Sequence, residues 1–185
     1  MIRSTAVQPD TTPPQATAFL PPVKPMDQMQ KNLSLRPITE ADMPFLFQLY
    51  ASTRAHEMAM IPWGDQEKQQ FLAMQFRAQH TYYTENYKNA TFDVICWAGQ
   101  PIGRLYVDEW LTELRIIDIA LLPQYRNHGI GSYYLKALMQ RASNDGKGIS
   151  IHVEHNNPAM ALYTRLGFQK IDETGIYHLM EWGIS

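Results

Sequence analysis

The residues best suited to chemistry lie in Arg126-Asn127-His128-Gly129-Ile130-Gly131, which follows the apolar run Ile119 to Leu122 and Pro123 and leads into a helical pattern. A helix begins with unpaired backbone N–H groups and a partial positive charge. A loop feeding its first turn can therefore wrap phosphate oxygens, provided no side chain blocks them. Gly129 and Gly131 remove those side chains, Arg126 adds a permanent cation suited to a phosphate, and Asn127 or His128 can contribute donors. Glycines at a helix start are also ordinary packing devices, so the loop taken alone supports an anion site without excluding that role. Neighbouring phosphate motifs fit worse. The loop has no Gly-Lys-Ser/Thr, and Gly129-Ile130-Gly131-Ser132-Tyr133-Tyr134 lacks the third glycine of a dinucleotide fingerprint, which argues against a kinase or a dehydrogenase.

Other groups carry chemistry only in context. Tyr163 lies on an apolar helix face, where a phenol ordinarily packs. Asn156 and Asn157 precede Pro158, a place where Asn routinely caps a helix. Cys96, within Val94-Ile95-Cys96-Trp97, reads as a buried small hydrophobe. Glu154 and His152 should share one face of their strand with His155 on the other, so His152 and His155 cannot both hold a metal from one straight strand, and zinc is not expected.

The elements that must position these groups can be read from periodicity and turn chemistry. Leu33 to Arg36 alternates as a strand ended by Pro37, and Thr39 can cap a helix through Phe45, Leu46 and Leu49. Pro62-Trp63-Gly64 breaks the chain before a second helix from Gln66 to about Tyr87. Phe92 to Trp97 and Ile102 to Asp108 form a hairpin around Ala98-Gly99-Gln100-Pro101, and Glu113 to Leu122 is a further strand. Gly129 to about Asn144 is helical, with Ile130, Tyr133, Tyr134, Ala137 and Leu138 on one buried face. Ile149 to Val153 is a strand, Pro158 to Leu166 a short helix, and Phe168 to Trp182 a hairpin around Gly175. No internal repeat of solenoid length is visible.

A chain of 185 residues suits one domain with a proper core. Residues 1 to 31 hold six of the 12 prolines among Thr, Gln and Ala, and read as a flexible leader, or alternatively as a docking peptide through Phe19-Leu20-Pro21-Pro22. The formal charge of -2 gives no reason to expect a nucleic-acid partner. The single cysteine excludes a disulfide framework or a cage of thiolates, and fits a reducing compartment. The amino terminus does not read as a signal peptide, and no run approaches the roughly 20 apolar residues that cross a bilayer, so a cytoplasmic protein without a membrane partner is expected.

The glycine loop resembles the Gln/Arg-x-x-Gly-x-Gly/Ala signature of the GNAT N-acetyltransferase superfamily. Asn156-Asn157-Pro158-Ala159-Met160-Ala161-Leu162-Tyr163-Thr164-Arg165-Leu166-Gly167-Phe168 is similar to that family's second block, in the family order and one helix and one strand further on. The resemblance covers residues 33 to 182. It implies an α/β (α+β) fold with a central mixed, mostly antiparallel sheet of six to seven strands flanked by about four helices, filling residues 32–185. It further implies an acetyl-coenzyme A-dependent transferase acting directly on a primary amine, with a non-catalytic acyl-coenzyme A-binding or regulatory relative as the alternative. The pyrophosphate would sit on the amides of Arg126, Asn127, His128, Gly129, Ile130, Gly131 and Ser132, and the pantetheine arm would pair with the backbone of Ile119, Ala120 and Leu121. Asn156, with Asn157 as rival, and Ala159 would hold the coenzyme arm, and Tyr163 would be the acid that protonates the departing thiolate. Glu154, then Asp118, are the candidate bases, directly or through a water. Arg54, Glu57, Trp63, Arg77, His80, Tyr82, Tyr83 and Tyr177 could line an acceptor pocket built by the first two helices and the last hairpin. The family also contains dimers, which leaves a homodimer open.

Overall fold

The computed structural model describes residues 31–183. The proline-rich leader, up to residue 30, lies outside them. Seven strands form one sheet: β1 (Leu33–Pro37), β2 (Thr91–Trp97), β3 (Gln100–Glu109), β4 (Glu113–Leu121), β5 (Gly148–Glu154), β6 (Gln169–Thr174) and β7 (Tyr177–Trp182), in the order β1-β2-β3-β4-β5-β7-β6. Neighbours run antiparallel except β4 and β5, which are parallel. The described residues also form five α-helices: α1 (Met43–Thr53), α2 (Ala55–Ala59), α3 (Asp65–Asn86), α4 (Ile130–Asp145) and α5 (Met160–Arg165). The mixed, mostly antiparallel sheet is as expected. Helix α2 is additional to the sequence reading, because Arg54, with φ -101° and ψ 2°, interrupts the helical path after α1.

Local chemistry explains the joints. The β2–β3 hairpin turns through Ala98 and Gly99, both at positive φ (49° and 79°), the handedness a two-residue hairpin loop needs. Between β1 and α1, the Asp42 carboxylate accepts from both Arg36 nitrogens (2.8 and 2.6 Å) and from the Thr39 N–H and hydroxyl (2.8 and 2.9 Å). Hydrogen bonding from Arg36 holds this carboxyl well below the usual carboxylate range, against the opposing effect of burial.

One sheet face packs on α4 and α5 through Leu105, Val107, Ile116, Ile151, Val153, Ile130, Leu135, Leu138 and Tyr163. On α4 the buried stripe includes Leu135 and Ala142, whereas Ala137 is exposed. Helices α1, α2 and α3 share a second cluster of Leu46, Tyr50, Met58, Leu72 and Phe76. Helix α3 covers the opposite sheet face, where Tyr83 meets the Tyr106 ring edge-on at 6.2 Å. Gly103 of β3 lies opposite Leu121 of β4, and a Cβ there would stand 2.4 Å from the Ala120 carbonyl oxygen. Close approach of the two strands at the end of β4 thus requires glycine.

Candidate active site

The site begins where the parallel pair comes apart. In the β3–β4 ladder, Tyr106 faces Asp118 but Val107 faces Ile116, so β4 carries one extra residue, Ile117. Pairing of β4 with β5 ends at the same place, at Ile116 opposite Ile151. A bulge bends and twists its strand, and here it directs the rest of β4 away from β5. The Ile102 carbonyl accepts from the Leu122 N–H (2.9 Å). By the alternation of an antiparallel ladder, the backbone groups of Leu121 and Ile119 therefore turn away from β3 and into the wedge.

At the mouth of that wedge lies the glycine loop. Pro123–Tyr125 makes a 3-10 turn, Asn127 takes φ 61°, and Gly129 takes φ 79° as the residue before α4. The first hydrogen bond of α4 runs from the Tyr133 N–H to the Gly129 carbonyl (2.9 Å). The amides of Ile130 to Ser132 consequently have no partner within the helix. A Cβ at Gly131 would meet only Leu162 Cδ2, at an ordinary 3.6 Å, so packing does not demand this glycine, and its bareness leaves the amides open. Ile130 contributes through its backbone, since its side chain is in the core at 2% exposure. Asn127 is exposed and His128 half-buried.

Arg126 departs from a simple phosphate clamp. Its Nε donates to the Leu121 carbonyl (2.8 Å), and its guanidinium reaches the Ser52 carbonyl (3.4 Å) and hydroxyl (3.2 Å) at the end of α1. Sequence reading could not see these partners. The side chain fastens the loop to β4 and α1, and the Arg126 N–H donates to the Pro123 carbonyl (3.2 Å), which closes the 3-10 turn.

Tyr163 is 3% exposed on α5 and packs edge-on against Phe168 at 5.6 Å. Burial first, and then the charge of Asp118, push its phenol above the usual range, so it keeps its proton at neutral pH. Of the two asparagines, Asn157 takes the structural role: its Oδ1 accepts from the Ala159 N–H (2.9 Å) at the entry to α5. Asn156 is exposed beside it.

The two carboxylates named as bases both lie on the sheet face covered by α1 to α3, and both face arginines. Asp118 accepts from Arg104 Nη2 (2.7 Å) and from the Tyr83 hydroxyl (3.4 Å), and Arg104 also donates to Gln79 Oε1 (3.0 Å). Arg104 is nearly fully buried. Burial lowers its pKa, and the charge of Asp118 with the phenols of Tyr106 and Tyr83 more than offsets this. Glu154 takes a two-pronged contact from Arg54 (3.2 and 2.8 Å), which also bonds Glu57 (2.9 Å). Beside Glu154 on the same face, His152 presents Nδ1 to Arg115, which also donates to Ser150 Oγ (2.8 Å). An arginine only donates, so the His152 proton sits on Nε2 and Nδ1 is taken as an acceptor. Burial, then the Arg115 charge, push this imidazole below its usual value.

Of the acceptor residues expected from sequence, four gather here. Arg54 and Glu57 join Glu154, Tyr83 joins Asp118, and Tyr177 lies opposite Glu154 across the β5–β7 ladder. Four do not. Trp63 packs on Phe71, His80 stacks on Phe76, Tyr82 leans on Tyr83 and Tyr87, and Arg77 is exposed on α3. Arg104 and Arg115 were not anticipated, because nothing in a strand's own pattern says that its polar face will meet carboxylates or imidazoles of other strands. Among the described residues no helix is long and apolar enough to cross a membrane.

The mixed, mostly antiparallel sheet and the glycine loop at the start of α4 are what the sequence resemblance led us to expect of an acetyltransferase, and the opening between the parallel strands is added by the structure. A model of the acetyltransferase (GNAT) family matches residues 48–168, and the chain belongs to that family. An N-alpha-acetyltransferase of Saccharolobus solfataricus is 39% identical over 59 residues, which are 30% of this chain and 35% of the relative, so the match spans about a third of that protein. Among solved structures, the PaiA N-acetyltransferase of Thermoplasma acidophilum in complex with coenzyme A aligns with a TM-score of 0.62 at 15% identity, covering 81% of this chain and 98% of the other. Arabidopsis thaliana Naa50 in complex with the bisubstrate analogue CoA-Ac-MVNAL aligns with a TM-score of 0.51 at 17% identity, covering 81% and 97%. At these identities the structural matches show the fold.

Proposed function

We propose that this protein transfers an acetyl group from acetyl-coenzyme A directly to a primary amine of a small molecule, peptide or protein. The observation that carries this reading is the wedge between β4 and β5, lined by the backbone groups of Ile119 and the Leu121 N–H, which turn away from β3, and ending on the amides of Ile130 to Ser132 at the start of α4. An extended arm can add to such an edge as a strand does, and a pyrophosphate can settle on such a helix start. Bound there, acetyl-coenzyme A would supply an activated thioester.

The chain's own groups divide the remaining work. A β4 amide facing the wedge polarises the acyl carbonyl, where water is excluded and its dipole counts most. Asn156 steadies the coenzyme arm. Tyr163, still protonated at neutral pH, gives its proton to the departing sulfur. Glu154, or else Asp118, is the final acceptor of the amine proton, and because each is shared with an arginine, a bridging water relays the proton to it. Arg54, Glu57, Tyr83 and Tyr177 line the acceptor side. The names of the Saccharolobus and Arabidopsis proteins favour a peptide amine among the acceptors to try first.

Calorimetry with acetyl-coenzyme A, coenzyme A and ATP tests the coenzyme. Both coenzyme forms should bind and ATP should not, and failure of both forms to bind would end the proposal. A mass-spectrometric screen of amines, polyamines, aminoglycosides and peptides then tests catalysis. Binding without any acetylated product would point to the non-catalytic relative.

A further inference from the structure

We propose that His155, Glu173 and His178 form a binding site for one divalent transition-metal ion, best matched to Zn²⁺, at the end of the β5–β7–β6 corner. The backbone register brings them together. Glu173 of β6 lies directly opposite His178 of β7, and His178 lies opposite Val153 of β5. The His155 N–H bonds the Ile176 carbonyl (3.0 Å), which carries the β5–β7 ladder one residue beyond Glu154. His155 therefore sits two residues past Val153 on the same face, the diagonal neighbour of His178. His152 and His155 do fall on opposite faces, as the sequence requires. The partners of His155 come instead from two other strands.

The donor atoms are already close. One ligand atom from each residue lies within 4.8 Å of the others, His155 Nε2 is 3.2 Å from Glu173 Oε1, and His178 Nδ1 is 3.8 Å from Glu173 Oε2. The imidazole rings stack with centroids 4.1 Å apart and planes 25° from parallel. His178 Nδ1 is buried and has no hydrogen-bond partner among the described residues, so in the Nε2–H tautomer it offers the cluster an unused lone pair. Tetrahedral zinc, with bonds of about 2.0 to 2.2 Å, needs donors about 3.4 Å apart, so the stacked imidazoles must turn toward Glu173 to direct both lone pairs at one ion. Two imidazoles and a carboxylate suit Zn²⁺ and the later first-row ions far better than Mg²⁺ or Ca²⁺, which prefer all-oxygen sites. Lys170 Nζ bonds Glu173 Oε2, which leaves Oε1 for the ion. A bound ion would clip the β6–β7 hairpin, which carries Tyr177 on its other face, to the strand end that carries Glu154.

Isothermal titration of the tag-free full chain, stripped with a chelator, against Zn²⁺ alone should give one ion per chain, and Co²⁺ should develop visible absorption bands. His155→Ala and His178→Ala should each weaken Zn²⁺ binding roughly tenfold or more, no less than loss of an outer-shell group does elsewhere. His56→Ala, exposed on α2, should leave it unchanged. Absence of binding below millimolar Zn²⁺, or binding that neither variant weakens, would overturn the site and identify the cluster as an ion pair only. If a variant does not fold, the imidazole nitrogen resonances of the wild-type chain carry the test. Two histidines should shift on addition of Zn²⁺, and no shift overturns the proposal. None of these readouts involves coenzyme A, so the result is independent of the transferase reading.

Discussion

Tyr163 and Asp118 show how one residue's surroundings decide its chemistry. A phenol at 3% exposure within a core cluster looks like packing, yet the Asp118 charge still acts on it and it lies on α5, the helix that follows β5. Tyr163→Phe keeps the ring and removes the proton. Turnover should fall by about 10² to 10⁴, the usual contribution of a general acid, with little change in coenzyme affinity by calorimetry. Unchanged turnover would remove Tyr163 from the mechanism. Asp118 is bound to the buried Arg104, with side chains 14% and 4% exposed. Arg104→Met should destabilise the protein by about 3 to 5 kcal/mol in urea unfolding, because it leaves a largely buried carboxylate without its cation. Combining it with Asp118→Asn should recover much of that loss. Full additivity would mean that the pair is not coupled.

At the scale of elements, the decisive feature is how β4 is held. Its extra residue Ile117 and the end of its pairing with β5 coincide, and the glycine opposite Leu121 lets β3 hold the departing end closely. Gly103→Ala must displace backbone, since the nearest atom to the new Cβ is a carbonyl oxygen. It should lower stability by about 1 to 3 kcal/mol, the range for overpacking, and weaken acetyl-coenzyme A binding by moving the strand edge that receives it. Equal stability of the variant and the parent would show that β4 has room to spare. The hairpins and helices were legible from sequence because each is specified locally: β2–β3 by its two-residue turn, α4 by its apolar stripe and glycine entry, α5 by Asn157 and Pro158. The short helix α2 was not, because its separation from α1 depends on the backbone of one residue, Arg54.

For the molecule as a whole, β1–β4 and β5–β7 are two halves of one sheet joined by only four register pairs, Glu113–Gly148 to Ile116–Ile151. A ligand seated in the wedge touches both. Acetyl-coenzyme A at a hundredfold excess over its Kd should add about 2.7 kcal/mol of stability. For a chain of this size that is a rise in Tm of several degrees, at about 2 to 4 °C per kcal/mol, measured by scanning calorimetry. ATP at the same concentration should give none, and an equal shift with ATP would reassign the loop.

The order of the elements other than α2, the family resemblance and the loop that opens α4 were legible from the residues alone, because turns, caps and periodicity act over a few neighbouring residues. Alternation along a strand also determined that His152 and Glu154 share a face and that His155 does not. Which groups they would meet was decided by the tertiary structure alone. Arg54 reaches Glu154 across 100 positions, Arg115 reaches His152 across 37, and His155 finds Glu173 and His178 only because β7 pairs with both β5 and β6. A two-residue period assigns each side chain to a face. Only strand order and register say which neighbours share that face, and those are settled by burial of the whole sheet between its helices.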